Sequence, residues 1–280
     1  MLVANTIEEV KKVVRGWKKE GLSIGLVPTM GYLHEGHASL ITRAVEENDR
    51  VIVSDFVNPI QFGPKEDLAT YPRDFDADCR LCKGIGTDLI FHPEPSEMYD
   101  PDFHSYVGVD TLSTELCGKS RPIHFNGVCT VVSKLFNITE ADRAYFGQKD
   151  AQQLAIVKRM VRDLNFNIEI IGCPIIREMD GLAKSSRNTY LSADARAKAT
   201  ILHKALIKGE EMVRSGEKDA TKVVNTVTSI IESEPLAKVD YVEVVDWNEL
   251  QKTDVIDGPV LTAVAVYIDN VRLIDNFIVD

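Results

Sequence analysis

Leu22-Ser-Ile-Gly-Leu-Val-Pro28-Thr-Met-Gly31-Tyr-Leu-His34-Glu-Gly-His37 begins with a short apolar run, turns after Pro28, and enters a helical pattern continued by Leu40, Ile41 and Val45. It reads as strand, loop, helix. Upstream, Thr6 and Glu9 are spaced as a capping box ahead of Ile7, Val10, Val14 and Trp17, and Gly21 stands where a C′ glycine would stop that helix. Downstream the alternation repeats: strand Val51–Val57, helix Phe75–Lys83, strand Asp88–Phe91, helix Gly127–Phe136, strand Arg143–Phe146, helix Ala151–Leu164 and strand Ile168–Cys173. Alternating elements of this kind predict a parallel sheet with helices on both faces. After Asp180-Gly181 the pattern changes to two long helical stretches, about 193–214 and 219–233, and then strands Val239–Val245 and Leu261–Ile268. The expected fold class is α/β, a Rossmann-like doubly wound parallel sheet over residues 1–180 with a second, smaller α+β C-terminal domain over 181–280. No Pro/Gly/Ser-rich linker separates the two, so they are expected to pack with a cleft between them.

The 280 residues contain 43 Asp and Glu against 32 Lys and Arg, a formal charge of −11 that disfavours nucleic acid and anionic lipid as partners. The longest mostly apolar stretch, Gly258–Ile268, is far shorter than the ~18 residues of a spanning helix. With no basic segment leading into an apolar one at the start, and five scattered cysteines (79, 82, 117, 129 and 173), the expectation is a cytoplasmic protein with reduced thiols and no membrane partner. Cys79 and Cys82 have metal or redox spacing, yet they lie in a helical pattern where residues three apart simply share a face.

Four polar clusters follow predicted strands. In Met30–His37, Gly31 and Gly36 allow close backbone approach, while His34 and His37 can share one side of a helix's first turn, where free amides favour phosphate. The plainer reading is a turn with two capping histidines; a metal site lacks a third ligand at a recognisable spacing. In Asp180–Asn188, Lys184, Ser185, Ser186 and Arg187 place two cations and two hydroxyls in four residues, suited to a polyphosphate or simply to a polar linker. In Phe146–Asp150, Lys149 stands beside Asp150, an ordinary N-cap, and Gln152 and Gln153 open the next helix, where either could equally be solvated surface. In the fourth cluster, Asn58 and Gln61 follow strand Val51–Val57 and offer amides to a small polar substrate. Clusters that follow strands of one parallel sheet converge on one cleft.

Together these residues resemble the pantothenate synthetase family of the cytidylyltransferase-like nucleotidyltransferase superfamily, over nearly the whole chain. His34-Glu-Gly-His37 resembles the H-x-G-H signature and Lys184–Asn188 a variant of the K-M-S-K-S-type signature. Pro28–Gly31, Phe56–Pro59 with Gln61-Phe62, Arg121-Pro122 with His124-Phe125, and Gly147–Asp150 with Gln152-Gln153 are similar to segments particular to this family. The resemblance implies a ligase: the pantoate carboxylate attacks the α-phosphate of ATP, giving pantoyl adenylate and pyrophosphate, and beta-alanine then displaces AMP to give pantothenate. It places Met30, Gly31, Tyr32, Leu33, His34, Glu35, Gly36 and His37 around ATP, with His34 and His37 on phosphates and His37 as acid donor. It adds Gly147, Gln148, Lys149, Asp150, Ile176, Lys184, Ser185, Ser186 and Arg187 to the nucleotide site, Lys149 and Arg187 acting on the phosphates. Pantoate falls to Gln61 and Gln153, supported by Asn58 and by Arg121 from a flap. It implies Mg²⁺ bound with ATP through phosphate oxygens, no protein metal site, a homodimer, and a C-terminal domain that closes over the cleft.

Two positions depart from the family pattern. Asp55 occupies a strand position where the family usually reads S-I-F-V-N-P, so its carboxylate must find a partner, stay protonated or weaken the strand, and Asp55→Ile is expected to keep activity and raise stability at neutral pH. Asn126 lies in a segment usually more hydrophobic. Three other functions compete: a nucleotidyltransferase that keeps the nucleotide on its product, disfavoured by Gln61 and Gln153; a silent ATP-binding regulator, disfavoured by His34, His37, Lys149 and Arg187; and a metal hydrolase built on His34, Glu35 and His37.

Overall fold

The computed structural model describes residues 1–64 and 66–280. In chain order its elements are β1 Leu2–Ala4, α1 Ile7–Lys19, β2 Ile24–Thr29, α2 Glu35–Glu47, β3 Arg50–Asp55, α3 Phe75–Ile85, β4 Leu89–Phe91, α4 Pro95–Met98, α5 Cys117–Ser120 and α6 His124–Thr139. There follow β5 Arg143–Gly147, α7 Ala151–Asp163, β6 Glu169–Cys173, α8 Ala193–Lys198, α9 Ile201–Arg214, α10 Ala220–Glu232, β7 Ala237–Asp246, β8 Val260–Ile268 and β9 Val271–Val279. Thr6 and Glu9 close the expected capping box: Glu9 N–H donates to Thr6 Oγ1 at 3.2 Å and Thr6 N–H to Glu9 Oε2 at 3.0 Å.

The chain divides into two compact units. The first comprises Met1–Val109, Arg121–Gln148 and Ile156–Pro174 and contains the wholly parallel sheet β1-β4-β3-β2-β5-β6. Counted from β2, the strand order runs outward through β3 and β4 and then returns through β5 and β6, which puts the reversal between β2 and β5. Ligands of open α/β sheets bind at such a switch point, beyond the carboxyl ends of the strands. Here those ends lead into Met30–His34 and into Gly147. Val27, Val51, Val53, Ile90 and Tyr145 of the sheet pack with Leu40, Ile41 and Ala44 of α2 and Cys82 of α3. Side chains alternate across a strand, so Leu26 and Ile52, fully buried, face the other side, where α6 meets β2 and α1.

Several details differ from the expectation, among them β9 (Val271–Val279), a strand that the reading of the sequence does not include. Pro28 lies inside β2 and does not end it; it has no N–H to give, and the β2–β5 pairing stops at Leu26, so a central ladder loses nothing there. β1 extends the sheet at its edge through Leu2, Val3 and Ala4, a strand too short for a two-residue period to be read. The segment 193–214 is two helices, α8 and α9, separated at Ala199–Thr200.

The second unit comprises Asp110–Ser120, Lys149–Ala155 and Ile175–Asp280. Its antiparallel sheet β7-β8-β9 is covered by α9 and α10 around Leu202, Leu206, Val223, Val227, Val264, Val266 and Phe277. All five cysteines are unpaired, Cys79 and Cys82 on α3 included. Among the described residues no helix is long and apolar enough to cross a membrane.

Candidate active site

In the first unit the loop from Met30 to His34 leaves β2 at the switch point and is held from beneath by a carboxylate on α3. Tyr32 N–H donates to Asp78 Oδ2 and Leu33 N–H to Asp78 Oδ1, each at 2.7 Å. Both Gly31 (φ 75°) and Tyr32 (φ 52°) are left-handed, and a Cβ on Gly31 would stand 2.4 Å from Asp55 Oδ1 and 3.3 Å from Asp78 Oδ2. Only glycine satisfies both demands.

The two signature histidines cap α2. Gly36 N–H donates to His34 Nδ1 at 3.1 Å, His34 N–H donates to His37 Nδ1 at 3.3 Å, and the ring centroids lie 4.1 Å apart. The capping reading is what the structure shows. A neutral imidazole that accepts at Nδ1 carries its proton on Nε2, so each capped ring is a donor at its other nitrogen, beside a helix N-terminus that favours anions.

Beneath the loop, Asp55 is 5% exposed; His92, its ring stacked on Phe75, places Nδ1 2.9 Å from the Asp55 backbone carbonyl and 3.7 Å from Oδ1, while Oδ2 is buried with no hydrogen-bond partner among the described residues. The Asp55 side chain raises the His92 pKa above its ordinary value, against burial. Asp78, 3% exposed, is pushed up to about 6, first by burial and then by the charge of Asp55, in spite of the amides of Leu33 and Tyr32.

Asn58 and Gln61 are 1% and 5% exposed. Asn58 Nδ2 donates to Gln61 Oε1 at 3.0 Å and to the Gly127 carbonyl at 3.1 Å, while Tyr99 OH donates to Asn58 Oδ1 at 2.8 Å. Gln61 Nε2 lies 2.9 Å from Met30 Sδ, so two residues expected at the site are side by side. Helix α6 comes close: a Cβ on Gly127 would meet Gln61 Cα at 2.5 Å, and His124 Nδ1 is 3.1 Å from the Gln61 carbonyl. Arg121 is ion-paired with Glu66. Gly147 ends β5 in open ground, with no atom within 4 Å of an added Cβ, and Gln148 follows.

In the second unit Lys149 and Asp150 complete a 3₁₀ turn that begins at Gln148 and leads into α7; Lys149 Nζ lies 3.6 Å from Asp150 Oδ2, and Asn276 Nδ2 donates to the Lys149 carbonyl at 2.9 Å. Gln152 is not solvated surface: it accepts from Cys117 N–H at 3.0 Å and donates to the carbonyls of Leu112 and Glu115, each at 2.8 Å. Gln153, beside it, is half-buried. Ile176 and Lys184 meet at the base of a hairpin, Lys184 N–H donating to the Ile176 carbonyl at 2.9 Å. Ser185 then caps a 3₁₀ turn, Ser186–Tyr190, that carries Ser186 and Arg187. The hairpin is anchored by Arg177, which donates to the Gly181 carbonyl and to both oxygens of buried Asp275 at 2.6 and 3.0 Å.

Asp78, His92, Tyr99, Asp275 and Asn276 escaped the reading of the sequence. Asp78 alone left a trace, a carboxylate four residues from Cys82 on the apolar stripe of α3.

The family model for pantoate-beta-alanine ligase matches residues 2–278. A pantothenate synthetase of Ruminiclostridium cellulolyticum is 60% identical over 277 residues, covering 99% of this chain and 98% of that protein. Among solved structures, pantothenate synthetase from Thermus thermophilus superposes with a TM-score of 0.92 at 41% identity over 99% of each chain. The pantoate-beta-alanine ligase of Francisella tularensis, complexed with beta-gamma ATP and beta-alanine, gives 0.79 at 36% identity over 99% of this chain and 97% of its own.

Proposed function

The chain belongs to the pantoate-beta-alanine ligase family and condenses pantoate with beta-alanine through pantoyl adenylate, using ATP and releasing AMP and pyrophosphate; we propose that His34 and His37 lead its phosphate chemistry and Gln61 its hold on pantoate. The observation that supports this reading is the capping geometry of α2, in which backbone amides occupy Nδ1 of both histidines and so leave the ring protons on Nε2. Donors fixed before the substrate arrives need no reorganisation as charge grows on the phosphate oxygens, which is the main service a protein gives to this kind of transfer.

Around that pair, Met30, Gly31, Tyr32, Leu33, Glu35 and Gly36 supply the surface against which ATP lies. Gly147, Gln148, Lys149, Asp150, Ile176, Lys184, Ser185, Ser186 and Arg187 also serve the nucleotide, Lys149 and Arg187 taking phosphate charge and His37 donating a hydrogen bond from Nε2. Gln153 joins Gln61 on pantoate, with Asn58 and Arg121 in support; in this assignment Arg121 exchanges Glu66 for substrate. In this reading residues 1–180 carry most of the ATP and pantoate roles and 181–280 carry Lys184–Arg187, with Asp110–Ser120 and Lys149–Ala155 grouped with the second compact unit. Mg²⁺ enters with ATP as part of the substrate, held through phosphate oxygens and water. A cytoplasmic homodimer with no nucleic-acid partner completes the proposal, in keeping with the net charge of −11.

The test is pantoate-dependent exchange of labelled pyrophosphate into ATP, which reads the first half-reaction alone. We expect His34→Asn and His37→Asn to lower the exchange rate about 10²–10³-fold, the usual effect of losing one aligned donor. Undiminished exchange in both variants, or exchange that needs no pantoate, would overturn the assignment.

A further inference from the structure

The amides of Asn58 and Gln61 form a chain whose direction is decided at one end. The Gly127 carbonyl can only accept, so the Asn58 nitrogen must face it, and the Asn58 oxygen then faces Tyr99 OH, 2.8 Å away. The second Asn58 N–H is left for Gln61 Oε1, and the Gln61 oxygen is thereby used. What remains of Gln61 is Nε2, whose contact at 2.9 Å is the thioether of Met30, a weak acceptor that an oxygen of a ligand would readily replace. Tyr99 suits its end of the chain: burial raises its pKa, keeping the phenol protonated, and its ring is fixed by Phe103 at 5.0 Å and Phe56 at 6.3 Å.

We propose that Tyr99 is a positioning residue for pantoate, acting through Asn58 to hold Gln61 with Nε2 outward, so that Gln61 meets its substrate only as a hydrogen-bond donor and selects an oxygen acceptor there. The inference rests on the assignment of Gln61 to pantoate. It adds a residue 38 positions beyond Gln61 in the chain, and it fixes which end of the amide is presented.

Tyr99→Phe deletes the hydroxyl and keeps the ring. One lost hydrogen bond should raise KM for pantoate about fivefold while KM for ATP, kcat and the melting temperature stay near their starting values. In the double variant with Gln61→Ala, the Tyr99 substitution should add nothing further. Gln61→Glu presents an oxygen where Nε2 stood, and it should impair pantoate binding more than Gln61→Ala does. If Gln61→Ala raises KM for pantoate and Tyr99→Phe does not, the positioning role is refuted while the Gln61 assignment stands. If Gln61→Ala leaves KM for pantoate unchanged, that assignment falls and the inference with it. Equal rises in every KM, or a large fall in melting temperature for Tyr99→Phe, would mark a merely structural residue and also refute the proposal.

Discussion

Asp55→Asn exchanges a buried carboxylate for an amide of the same shape, a closer match to its niche against Gly31 than the bulkier Asp55→Ile. Its effect runs through Asp78, whose pKa rises from 3.8 to about 6 on folding. Between those values the folded chain holds a proton that the unfolded chain has released, so stability falls as pH rises through that window, by ~3 kcal/mol in all. Burial is the larger cause and survives the substitution; the share due to Asp55 is on the order of 1 kcal/mol, or about 2 °C in melting temperature for a chain of this size. Asp55 stabilises His92 where it penalises Asp78, though both contributions fall as pH rises. Asp55 raises the His92 pKa, so that contribution is full below the ordinary histidine value and is lost as pH rises through the folded one. We therefore expect Asp55→Asn to melt about 2 °C higher than the parent at pH 7.5, and the advantage to vanish or reverse near pH 5. The same substitution should move the acid limb of KM for ATP to lower pH, since Asp78 holds the Tyr32 and Leu33 amides more strongly while ionised. Calorimetry at the two pH values decides the matter: a lower melting temperature at pH 7.5, or a difference independent of pH, would refute the account.

Gly127→Ala should cost about 1–3 kcal/mol and raise KM for pantoate, because its Cβ would lie 2.5 Å from Gln61 Cα and force the backbone of α6 or of Gln61 to move; denaturant melts together with a pantoate titration test both. Asp275→Asn leaves the half-buried Arg177 without its counter-charge, a loss of about 3 kcal/mol, and should lower the melting temperature by about 6–10 °C and weaken ATP binding. A change under about 2 °C would show that the pair adds little.

The parallel sheet was legible because its strands and helices keep their own periods for long enough to be read, and the capping box of Thr6 and Glu9 marked where the first helix begins. Legibility failed where a segment was short or where its pattern served a distant partner. β1 has three residues. β9 carries Asp275 and Asn276 in mid-strand, polar groups that break its apolar run and acquire meaning only opposite Arg177 and Lys149. The candidate site divides the same way. His34, His37, Gln61 and the Lys184–Arg187 segment announce themselves as local clusters. Asp78, His92 and Tyr99 are single residues whose roles depend on what the fold sets against them, which no spacing encodes.

The anchors on β9 also bear on how the molecule is made and mistreated. Asn276 is synthesised 127 residues after Lys149, and Asp275 98 residues after Arg177. A chain growing from its N-terminus at ~5–20 residues per second thus holds both segments proposed to handle the nucleotide for seconds before either can be fastened. Those segments are then raw material for the enzyme and not yet part of it. Protease clipping or a poorly chosen fusion in the last strand would accordingly register as lost catalysis, though every residue expected to touch substrate was untouched.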